Sequence, residues 1–517
     1  MTFLTDHQSM ILTVSQMQEV EREAFQRGVE PAILMEEAGE GITRIVQQFF
    51  PVPGVAVAYC GKGNNAGDAL VAARMLAHEG WKIGVRLTFP KNEMALLSRA
   101  HLQELEEHDG VSILEKIPKE TSGTLVLLDG LLGIGASGNP RDSLKDAIEE
   151  INFLRSHHSA FVVAIDLPSG LDGTTGKPFP CCVEADLTAT IAFAKEGLVA
   201  DTATNVVGRL AVVPLSGLTR IFHTHHLQKP GSRREGASLI LPEALRKVLP
   251  KRAFDVHKGL FGHVGILAGS PGFLGAARLA SAAALRAGAG LVTLYALPET
   301  YDMLAVSTSP EVMVKPIKDY LDLFEEPLDA LGIGPGLGSK YSHEIGEIIE
   351  KLPIPSVIDA DAFNALVQEK SRLLKCHYPR LLTPHPGEME RLFSAEGRSR
   401  SAWAKDFVEH YRVTLLLKGA RTLIAEYAQP LLFNTTGNPG MGSGGMGDVL
   451  TGVTTAFLAS GHSCRNAAQL GAWLCGRSAE IAVYDSGNSP ESLVSSDVIA
   501  HLGMAFHSMR VGEFRAN

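Results

Sequence analysis

The sequence predicts an α/β protein made of two consecutive domains. Three observations indicate this: the chain has 517 residues, short β-rich runs alternate with helical patterns in both halves, and a polar, aperiodic segment separates the halves. The strand-like runs are almost continuously apolar, which is typical of parallel strands covered on both faces. We therefore expect two parallel-sheet domains, the first an open, doubly wound α/β/α domain.

The N-terminal domain is predicted from six strand-like runs. They read VAVAYC, KIGVRLTF, TLVLLD, AFVVAID, LTATIAFA and RLAVVPL, with helical patterns such as DALVAARMLAHEG and SLKDAIEEINFLRS between them. Ahead of the first strand, SQMQEVEREAFQRG and PAILMEEAGEGITRIVQQFF have helical spacing. Pro31 is suited to the first turn of the second of these helices.

The domain boundary is predicted from a change in composition. Residues 214–236 are polar and rich in Gly, Ser, Arg and His, without sustained periodicity. We place the domains at residues 1–222 and 237–517, with a linker at 223–236. After it the alternation resumes with HVGILAGS, and the two halves show no long self-similarity, so no internal duplication is inferred.

Composition excludes several classes of protein. Lys and Arg number 47 against 57 Asp and Glu, a net charge of −10, which lacks the basic excess of a nucleic-acid binder. Hydrophobic residues at 45% exclude a disordered chain. The longest apolar run, residues 279–297, contains Arg286, so no membrane span is expected.

Cysteine usage and the N-terminal sequence indicate the compartment. The six cysteines are scattered and form no CxxC pair, which favours a reducing environment over a disulfide framework or zinc site. The first residues show no signal or transit pattern. We expect a cytoplasmic protein that forms a homo-oligomer and acts on small molecules, without nucleic-acid or membrane partners.

The first candidate site is the segment GKGNNAGD, residues 61–68, between a predicted strand and a predicted helix. A glycine-rich turn at a helix N-terminus offers free backbone N–H groups to an anion. The alternative is a tight turn with an asparagine cap. The motif alone does not decide between them.

Polar residues at the ends of later strands extend this candidate site. Asp129 follows LVLL, and Asp166 and Ser169 follow AFVVAI. Ligands of open α/β sheets bind beyond the carboxyl ends of the strands. Singly, each aspartate could be a helix cap or a turn residue; together they favour a binding site.

The second half contains the glycine-dense segment NPGMGSGGMGDVLTG, residues 438–452, which leads into an apolar helix. So many glycines allow backbone N–H groups to approach a phosphate. Asp448 stands where a carboxylate could meet a reacting hydroxyl, and is therefore a candidate general base; the alternative is a helix cap. Lys418, Thr422 and His385 are candidate phosphate or ribose contacts.

These motifs resemble a known family. GKGNNAGD, LLDGLLGIGASG and AIDLPSGLDG are similar to the NAD(P)H-hydrate epimerase domain, which is Rossmann-like. GSPGFLGAARLASAAALRAGAGLV, GIGPGLG, TPHPGE, KGARTL and GNPGMGSGGMGDVLTG are similar to the ribokinase-like NAD(P)H-hydrate dehydratase domain. The order of these motifs, which span nearly the whole chain, resembles that of the bifunctional NAD(P)H-hydrate repair enzymes.

The resemblance implies two activities on damaged nicotinamide cofactors, NADHX and NADPHX, which carry a hydroxyl on the reduced ring in R or S configuration. An isomerase activity interconverts the epimers. A lyase activity then dehydrates the S epimer to NAD(P)H, using ADP or ATP to phosphorylate the hydroxyl and giving AMP or ADP and phosphate. The implied cofactors are potassium at the epimerase site and Mg²⁺ with the nucleotide.

The resemblance also implies roles for individual residues. Catalysis is assigned to Asp166 and Asp448. The epimerase substrate would contact Asn64, Asn65, Ala66, Gly67, Asp68, Gly133, Ile134, Gly135, Ala136, Ser137, Gly138, Asn139 and Asp166. Potassium would be held by Asn65, Asp129 and Ser169, whose oxygens suit a hard cation. The dehydratase substrate would contact Ala276, Gly336, His385 and Asp448, and the nucleotide would contact Lys418, Gly419, Ala420, Arg421, Thr422 and Gly447.

The chain departs from the family pattern at four positions. Ala66 stands where a glycine is usual, and if that position needs positive φ, alanine carries strain of about 1 kcal/mol. Phe273 replaces a tyrosine and removes a hydroxyl contact, and Gly442 and Met446 also differ. No departure removes a charged group.

Two other interpretations stay open at this point. The chain could be a vitamin or sugar kinase with a non-catalytic N-terminal domain, because such kinases share the loop before Asp448. Alternatively, the N-terminal domain could be a binding or assembly module. The presence of Asp129, Asp166 and Ser169 favours the catalytic interpretation.

Overall fold

The computed structural model describes residues 9–108, 110–115, 123–136, 138–225 and 236–511. This part of the chain divides into two compact units, and the division falls between Leu239 and Ile240. Much of the predicted linker, residues 226–235, lies outside the described residues. Its first residues belong to a helix that ends at His225.

The first unit contains a parallel seven-stranded sheet in the order β4-β3-β2-β5-β6-β7-β9. A separate parallel pair is formed by β1 and β8. The strands are β1 (Ile11–Leu12), β2 (Val55–Cys60), β3 (Lys82–Leu87), β4 (Val111–Ile113), β5 (Leu125–Gly130), β6 (Phe161–Ile165), β7 (Leu187–Ile191), β8 (Ala194–Lys195) and β9 (Arg209–Val213). The helices are α1 (Val14–Gln26), α2 (Pro31–Phe49), α3 (Asn64–His78), α4 (Leu96–Glu106), α5 (Asp142–His158), α6 (Thr204–Val207) and α7 (Ser216–His225).

Local sequence accounts for the two opening helices. Thr13 caps α1 in a reciprocal capping box with Gln16, and Pro31 occupies the first turn of α2 as predicted. In β5 all six residues are buried, which confirms a sheet covered on both faces.

One predicted strand of the first unit is divided. The run LTATIAFA forms β7 and β8 rather than one strand. Ala192, between them, has a φ of +59°, which takes the backbone out of the extended region. The break turns the chain so that β8 pairs with β1 instead of continuing β7.

A ten-stranded sheet has the order β10-β19-β18-β17-β16-β15-β14-β11-β12-β13. The division between the units falls within its edge strand β10, and the other nine strands belong to the second unit. The strands are β10 (Ala237–Ile240), β11 (His263–Leu267), β12 (Leu291–Ala296), β13 (Met313–Pro316), β14 (Ala330–Ile333), β15 (Ser356–Ile358), β16 (Arg380–Leu382), β17 (Thr414–Leu417), β18 (Leu423–Ala425) and β19 (Leu431–Asn434). Neighbouring strands pair in parallel along the series β17-β16-β15-β14-β11-β12-β13. The pairs β17–β18 and β18–β19 are antiparallel.

The helices of the second unit surround this sheet. They are α8 (Pro242–Val248), α9 (Leu274–Arg286), α10 (Pro298–Ser307), α11 (Ser342–Lys351), α12 (Ala362–Gln368), α13 (Arg372–Lys375), α14 (Pro386–Leu392), α15 (Arg400–Tyr411), α16 (Met446–Ala459), α17 (Cys464–Glu480) and α18 (Ser495–Val511). Every residue of α16 from Val449 to Ala459 is buried, so this helix lies in the core, as its apolar sequence predicts.

The predicted α/β class is therefore confirmed for both units. In the ranges that the structure describes, none of the helices has both the length and the apolar composition needed to cross a bilayer.

Candidate active sites

The first candidate site is a pocket of about 570 Å³ beyond the carboxyl ends of β2, β5 and β6. These strands are neighbours in the sheet, so the residues that follow them meet at one edge. Predicted site residues that line the pocket are Asn64, Asn65, Asp68, Gly133, Ile134, Gly135, Ala136 and Asp166.

The glycine-rich segment at this pocket starts a helix. Gly63 is the N-cap of α3 and Asn64 is its first residue, with no side-chain cap, so the asparagine-cap alternative is wrong. Ala66 is helical and fully buried, and it is not among the residues with positive φ. The strain considered for alanine at this position is therefore absent.

Some of the predicted substrate contacts lie away from the pocket lining. Ala66 and Gly67 are on the buried side of α3, where a Cβ on Gly67 would come within 2.4 Å of the Met35 sulfur. Asn139 accepts a hydrogen bond from the Cys181 backbone (3.1 Å), and Gly138 precedes it outside the lining. Ser137 lies outside the described residues.

The residues predicted to hold potassium form one buried network. Asp129 accepts hydrogen bonds from the Ser169 hydroxyl (2.6 Å), the Ser169 N–H (2.8 Å) and the Leu131 N–H (3.2 Å). The Asn65 amide donates to the Leu132 carbonyl (2.9 Å). Burial raises the pKa of Asp129 to about 6, although these hydrogen bonds oppose the rise.

Asp166 occupies a strained backbone position beside this network. Its φ is +66°, in the left-handed region that non-glycine residues seldom adopt. Its Oδ1 accepts a hydrogen bond from the Ile191 N–H (3.0 Å) and a charged one from Lys195. The surrounding structure thus fixes this carboxylate at the pocket wall.

Two charged residues near Asp166 were not predicted from the sequence. Lys195 on β8 and Glu21 on α1 both line the pocket. Burial and the charge of Asp166 raise the pKa of Glu21. No motif contains either residue, because α1 and β8 reach the pocket only through the tertiary fold.

The second candidate site lies at the carboxyl ends of β17, β16, β15 and β14, which are adjacent in the second sheet. Its centre is the buried Asp359, directly after β15. Asp359 accepts hydrogen bonds from Lys418 Nζ (2.7 Å), the Thr383 hydroxyl (2.9 Å) and the Thr451 hydroxyl (2.9 Å). These contacts join three strand ends to helix α16.

The N-terminus of α16 approaches this ion pair closely. A Cβ built on Gly447 would lie 3.3 Å from Lys418 Nζ and 3.4 Å from Asp359 Oδ2. Asp448 follows on the first turn of the helix. The N-cap is Gly445, and no side chain caps the helix, so Asp448 is not a helix cap.

Asp448 has the electrostatic properties of a base at neutral pH. Burial and the nearby Asp359 raise its pKa to about 6, and Lys418 opposes the rise. For Lys418, burial lowers the pKa, but the charge and hydrogen bond of Asp359, together with the charges of Glu388 and Asp448, outweigh burial and the net direction is upward. The site therefore presents a carboxylate of moderately raised basicity beside a firmly held ammonium group.

His385 caps the helix that follows β16. Its Nδ1 accepts hydrogen bonds from the N–H groups of Gly387 (3.0 Å) and Glu388 (3.4 Å), so the ring proton is on Nε2. The Glu388 carboxylate accepts a hydrogen bond from the His385 N–H (2.8 Å) and lies 3.9 Å from Lys418 Nζ. The Nε2 side of the exposed ring lies 3.4 Å from Glu388 Oε1, so His385 and Glu388 together present a polar surface to a ligand.

Gly336 and Ala276 meet at a third part of this edge. Gly336 has a φ of +65°, and a Cβ there would lie 2.9 Å from Phe273 Cβ and 3.2 Å from Ala276 Cβ. The Ser270 hydroxyl donates to the Gly336 carbonyl (2.8 Å). A larger residue would separate these loops, so the glycine allows them to pack together.

The predicted nucleotide-binding segment, residues 418–422, is supported from behind. Arg400 donates to the carbonyls of Leu417, Lys418 and Arg421, each at 3.2 Å. Gly419 and Ala420 are exposed, whereas Arg421 is buried. The segment can therefore present backbone groups to a ligand without rearranging.

Asp359 and Glu388 were missed by the sequence analysis although a signal for each is present. Asp359 follows the apolar run SVI at a strand end, the same position that identified Asp129 and Asp166. Glu388 completes the TPHPGE motif in which only His385 was chosen.

Two families match the chain. Residues 264–499 match the family described as NAD(P)H-hydrate dehydratase, and residues 31–197 match the family described as YjeF-related protein N-terminus. The dehydratase range contains the second candidate site. The range 31–197 contains most of the residues that line the first pocket, whereas Glu21 lies ahead of it.

Relatives extend along both units. The bifunctional NAD(P)H-hydrate repair enzyme Nnr of Moorella thermoacetica is 34% identical over 522 residues, which cover 95% of this chain and 96% of the relative. The enzyme of the same name from Escherichia coli K12 is 34% identical and covers 91% and 88%, respectively. A crystal structure of the ADP/ATP-dependent NAD(P)H-hydrate dehydratase from Bacillus subtilis is 26% identical, covers 52% of this chain and 97% of that one, and has a TM-score of 0.46.

The resemblance noted in the sequence is confirmed, because the similarity covers both units of chain and relative alike. The similarity to bifunctional repair enzymes does not favour the alternative of a sugar or vitamin kinase, or that of a non-catalytic N-terminal module. The chain belongs to the family of bifunctional NAD(P)H-hydrate repair enzymes.

Proposed function

We propose that the first unit interconverts the R and S epimers of hydrated NADH or NADPH and that the second unit dehydrates the S epimer at the expense of ADP or ATP. Family membership supports the pair of activities. The observation that carries the second activity is the convergence of Asp448, the Asp359–Lys418 ion pair and the backbone of Gly447 at one helix N-terminus.

The dehydration is a phosphoryl transfer followed by an elimination. Asp448 takes the proton of the ring hydroxyl, whose oxygen then attacks the terminal phosphorus of the nucleotide. Lys418 and the N–H groups at the start of α16 stabilise the charge on the phosphoryl oxygens. The ring nitrogen then expels phosphate, and loss of a proton from the neighbouring carbon restores the double bond of NAD(P)H.

Binding roles follow from position. We assign the hydrate to the surface formed by Ala276, Gly336, His385 and Asp448, and the nucleotide to Lys418, Gly419, Ala420, Arg421, Thr422 and Gly447. Lys418 lies at the junction of the two sets, since its Nζ approaches both the Gly447 backbone and Glu388. That position suits a group in contact with the transferred phosphoryl.

Mg²⁺ is proposed to accompany the nucleotide. Within the described ranges, one group of three His, Cys, Asp or Glu side chains is close enough to share a metal ion. This group is in the first unit and not at the dehydratase site. The dehydratase site thus fits Mg²⁺ held mostly by phosphates and water, with one or two carboxylates, as is usual for this ion. Bound there, it supplies charge neutralisation at the phosphates.

Potassium is proposed to bind at Asn65, Asp129 and Ser169. The residues fit, because Asp129 is a fully buried carboxylate whose hydrogen-bond partners, as far as the chain is described, are all neutral, and the Asn65 Oδ1 accepts no hydrogen bond there. A monovalent cation supplies the missing positive charge. Asn65 and Ser169 also hold the loop after β5 through Leu132, so the cation orders the pocket wall.

The hydrate of the first unit is assigned to the pocket wall formed by Asn64, Asn65, Asp68, the loop 133–136 and Asp166. The free N–H groups at the start of α3 suit its phosphates. Asp166 is the proposed catalytic carboxylate, since its backbone strain is maintained by the surrounding contacts.

Three further expectations are retained as proposals: domains at residues 1–222 and 237–517, a cytoplasmic location and a homo-oligomeric state. The six cysteines are all free thiols, which supports a reducing compartment. Exposed apolar side chains of the second unit, such as Phe254 and Phe273, support self-association. Light scattering of the purified chain tests the last point.

The function is tested with purified epimers of NADHX. The S epimer with ADP or ATP should yield NADH at once, and the R epimer should yield NADH faster than spontaneous epimerisation allows. Omitting either nucleotide in turn identifies the donor, and comparing NADHX with NADPHX identifies the preferred cofactor. Failure to form NADH from the S epimer with either nucleotide contradicts the proposal.

A further inference from the structure

Two aspartates line the first pocket in unlike surroundings. Asp166 accepts hydrogen bonds from Lys195 and the Ile191 N–H on Oδ1, whereas its Oδ2 accepts none from the residues that the structure describes. The Asp68 carboxyl accepts none from them at all, and it keeps partial access to the pocket. Asp166 is therefore fixed with its Oδ2 available to a ligand, whereas no hydrogen bond from the described residues holds the Asp68 carboxyl.

Lys195 is a holding group rather than a reacting one. It is 1% exposed, and its three N–H bonds have three acceptors: Asp166 Oδ1, the Ile191 carbonyl (3.0 Å) and the Thr190 hydroxyl (3.3 Å). No N–H remains for a ligand. What the ammonium does is neutralise Asp166 and fix it in its left-handed backbone conformation.

Asp68 is placed to carry a proton. The charged groups that act on it come from three elements: Glu21 on α1, Asp166 after β6, and Lys195 on β8. Burial and the charges of Asp166 and Glu21 raise the pKa of Asp68 well above its ordinary value, and the charge of Lys195 only partly opposes this. A carboxyl group with a raised pKa and a carboxylate paired with a lysine, both at one pocket, are suited to act as an acid and a base.

We propose that Asp68 donates a proton to the departing hydroxyl during epimerisation, and that Asp166, positioned by Lys195, accepts a proton from the water that adds to the opposite face of the ring. This inference rests on the epimerase function proposed above. It makes Asp68 a catalytic residue and Lys195 a positioning residue.

The step balances without another reactant. The ring nitrogen donates its lone pair as the C–O bond breaks, and the hydroxyl leaves as water with the proton of Asp68, which gives an iminium ion. Water then forms a new C–O bond from the other face, loses its proton to Asp166, and the lone pair returns to nitrogen. Before the next turnover, exchange with solvent water returns a proton to Asp68 and removes the one from Asp166, so the cycle closes; epimerisation in the opposite direction uses the same groups in reversed roles.

The test of Asp68 uses the full chain, so that the second unit reports on folding. Asp68→Asn should lower kcat for repair of R-NADHX by at least about 10²-fold, within the range of general acid loss, and leave dehydration of S-NADHX unchanged. The matched control is Glu79→Gln, which removes an exposed carboxyl at the other end of α3, outside the pocket lining, and should change the R-epimer rate less than threefold. In wild type the rate should fall on the alkaline side as Asp68 loses its proton, and this limb should be absent from Asp68→Asn.

The test of Lys195 separates positioning from folding. Lys195→Met should lower kcat for the R epimer with little change in KM, while Lys195→Arg should recover part of the rate. A Lys195→Met variant with wild-type kcat, or one whose loss appears in KM and is not recovered by Lys195→Arg, overturns the positioning role.

The outcomes also separate this inference from the function on which it rests. If wild type does not accelerate repair of the R epimer, the epimerase function fails and the inference falls with it. If wild type accelerates repair and Asp68→Asn does so within threefold of wild type, Asp68 is not the proton donor although the enzyme is an epimerase.

Discussion

At the scale of single residues, the dehydratase site depends on the different contacts of two aspartates. Asp359 is buried and pairs with Lys418, whereas Asp448 is half-buried beside that pair and has a pKa of about 6. The first aspartate positions an ammonium group for phosphate, and the second is left to accept a proton. The neighbouring carboxylate thus adjusts the basicity of the proposed catalytic one.

The role of Asp448 predicts a large effect of a small change. Asp448→Asn keeps the shape of the side chain but removes its basicity, so dehydratase turnover should fall by about 10²-fold or more. Hydrate binding should largely survive, measured by calorimetry without nucleotide. Turnover within threefold of wild type means that another group is the base.

The pKa of Asp448 also predicts a pH dependence. A base works when deprotonated, so kcat/KM for S-NADHX should rise with pH through about 6 and then level off. In Asp359→Asn the limb should move to lower pH, since Asp359 is one cause of the raised pKa. An unchanged limb in that variant argues that a different group titrates.

Asp129 predicts a coupling between potassium and stability. Its folded pKa of about 6 exceeds the ordinary value, so the folded state binds the extra proton and loses stability as pH rises through about 6. K⁺ should offset that loss and raise the melting temperature at neutral pH relative to tetramethylammonium at equal ionic strength. Asp129→Asn should melt independently of K⁺.

The same residue predicts a separation of activities. Asp129→Ala should abolish epimerisation and leave dehydration of S-NADHX intact, since the two sites belong to different units. With mixed epimers the variant should stall at the S share before continuing at the spontaneous rate. If this variant repairs the R epimer at the wild-type rate, the cation has no catalytic role.

At the scale of elements, helix α16 carries the dehydratase site because it packs closely against α9. A Cβ on Gly452 would lie 2.0 Å from the Ala280 carbonyl oxygen. Because this contact is with the backbone, rotation of a side chain cannot relieve it. The glycine therefore sets the depth of α16 and, with it, the position of Asp448 at its N-terminus.

This packing predicts the effect of adding one methyl group. Gly452→Ala should destabilise the second unit by about 2 kcal/mol or more, the usual cost of overpacking. The control is Gly503→Ala in α18, which meets nothing within 4 Å and should be neutral or stabilising by up to about 1 kcal/mol. Equal melting temperatures for the two variants contradict the packing argument.

Elements with strong local patterns could be predicted from the sequence. Apolar strands, the Pro31 helix start and the aspartates at strand ends depend on local composition, and the structure contains them, although the predicted strand LTATIAFA is divided in two. Lys195 and Glu21 could not be predicted, because they reach the pocket through a break at Ala192 and the placement of α1. The helical conformation of Ala66 likewise depends on where α3 begins, at Asn64 after the N-cap Gly63, which the family pattern does not indicate.

At the scale of the whole molecule, the two sites belong to separate compact units with their own sheets. Each sheet gathers its site at the carboxyl ends of adjacent strands. The second unit should therefore need only its own residues to dehydrate the S epimer.

Independence of the units predicts the behaviour of a fragment. A chain beginning at Gly231 should fold and convert S-NADHX to NADH, and should convert the R epimer only at the spontaneous rate. Circular dichroism and the NADH assay check both points. An inactive but folded fragment indicates that the first unit supplies part of the dehydratase site.

The central claim is that one chain repairs both epimers by two linked activities. The direct measurement is the final yield of NADH from an equilibrium mixture of R- and S-NADHX, incubated with the purified full chain, K⁺, Mg²⁺ and ADP or ATP and followed by NADH absorbance. The account predicts complete conversion in a single course that outpaces spontaneous epimerisation. A course that stops at the S share contradicts the epimerase half of the claim, and a course without NADH formation contradicts the whole of it.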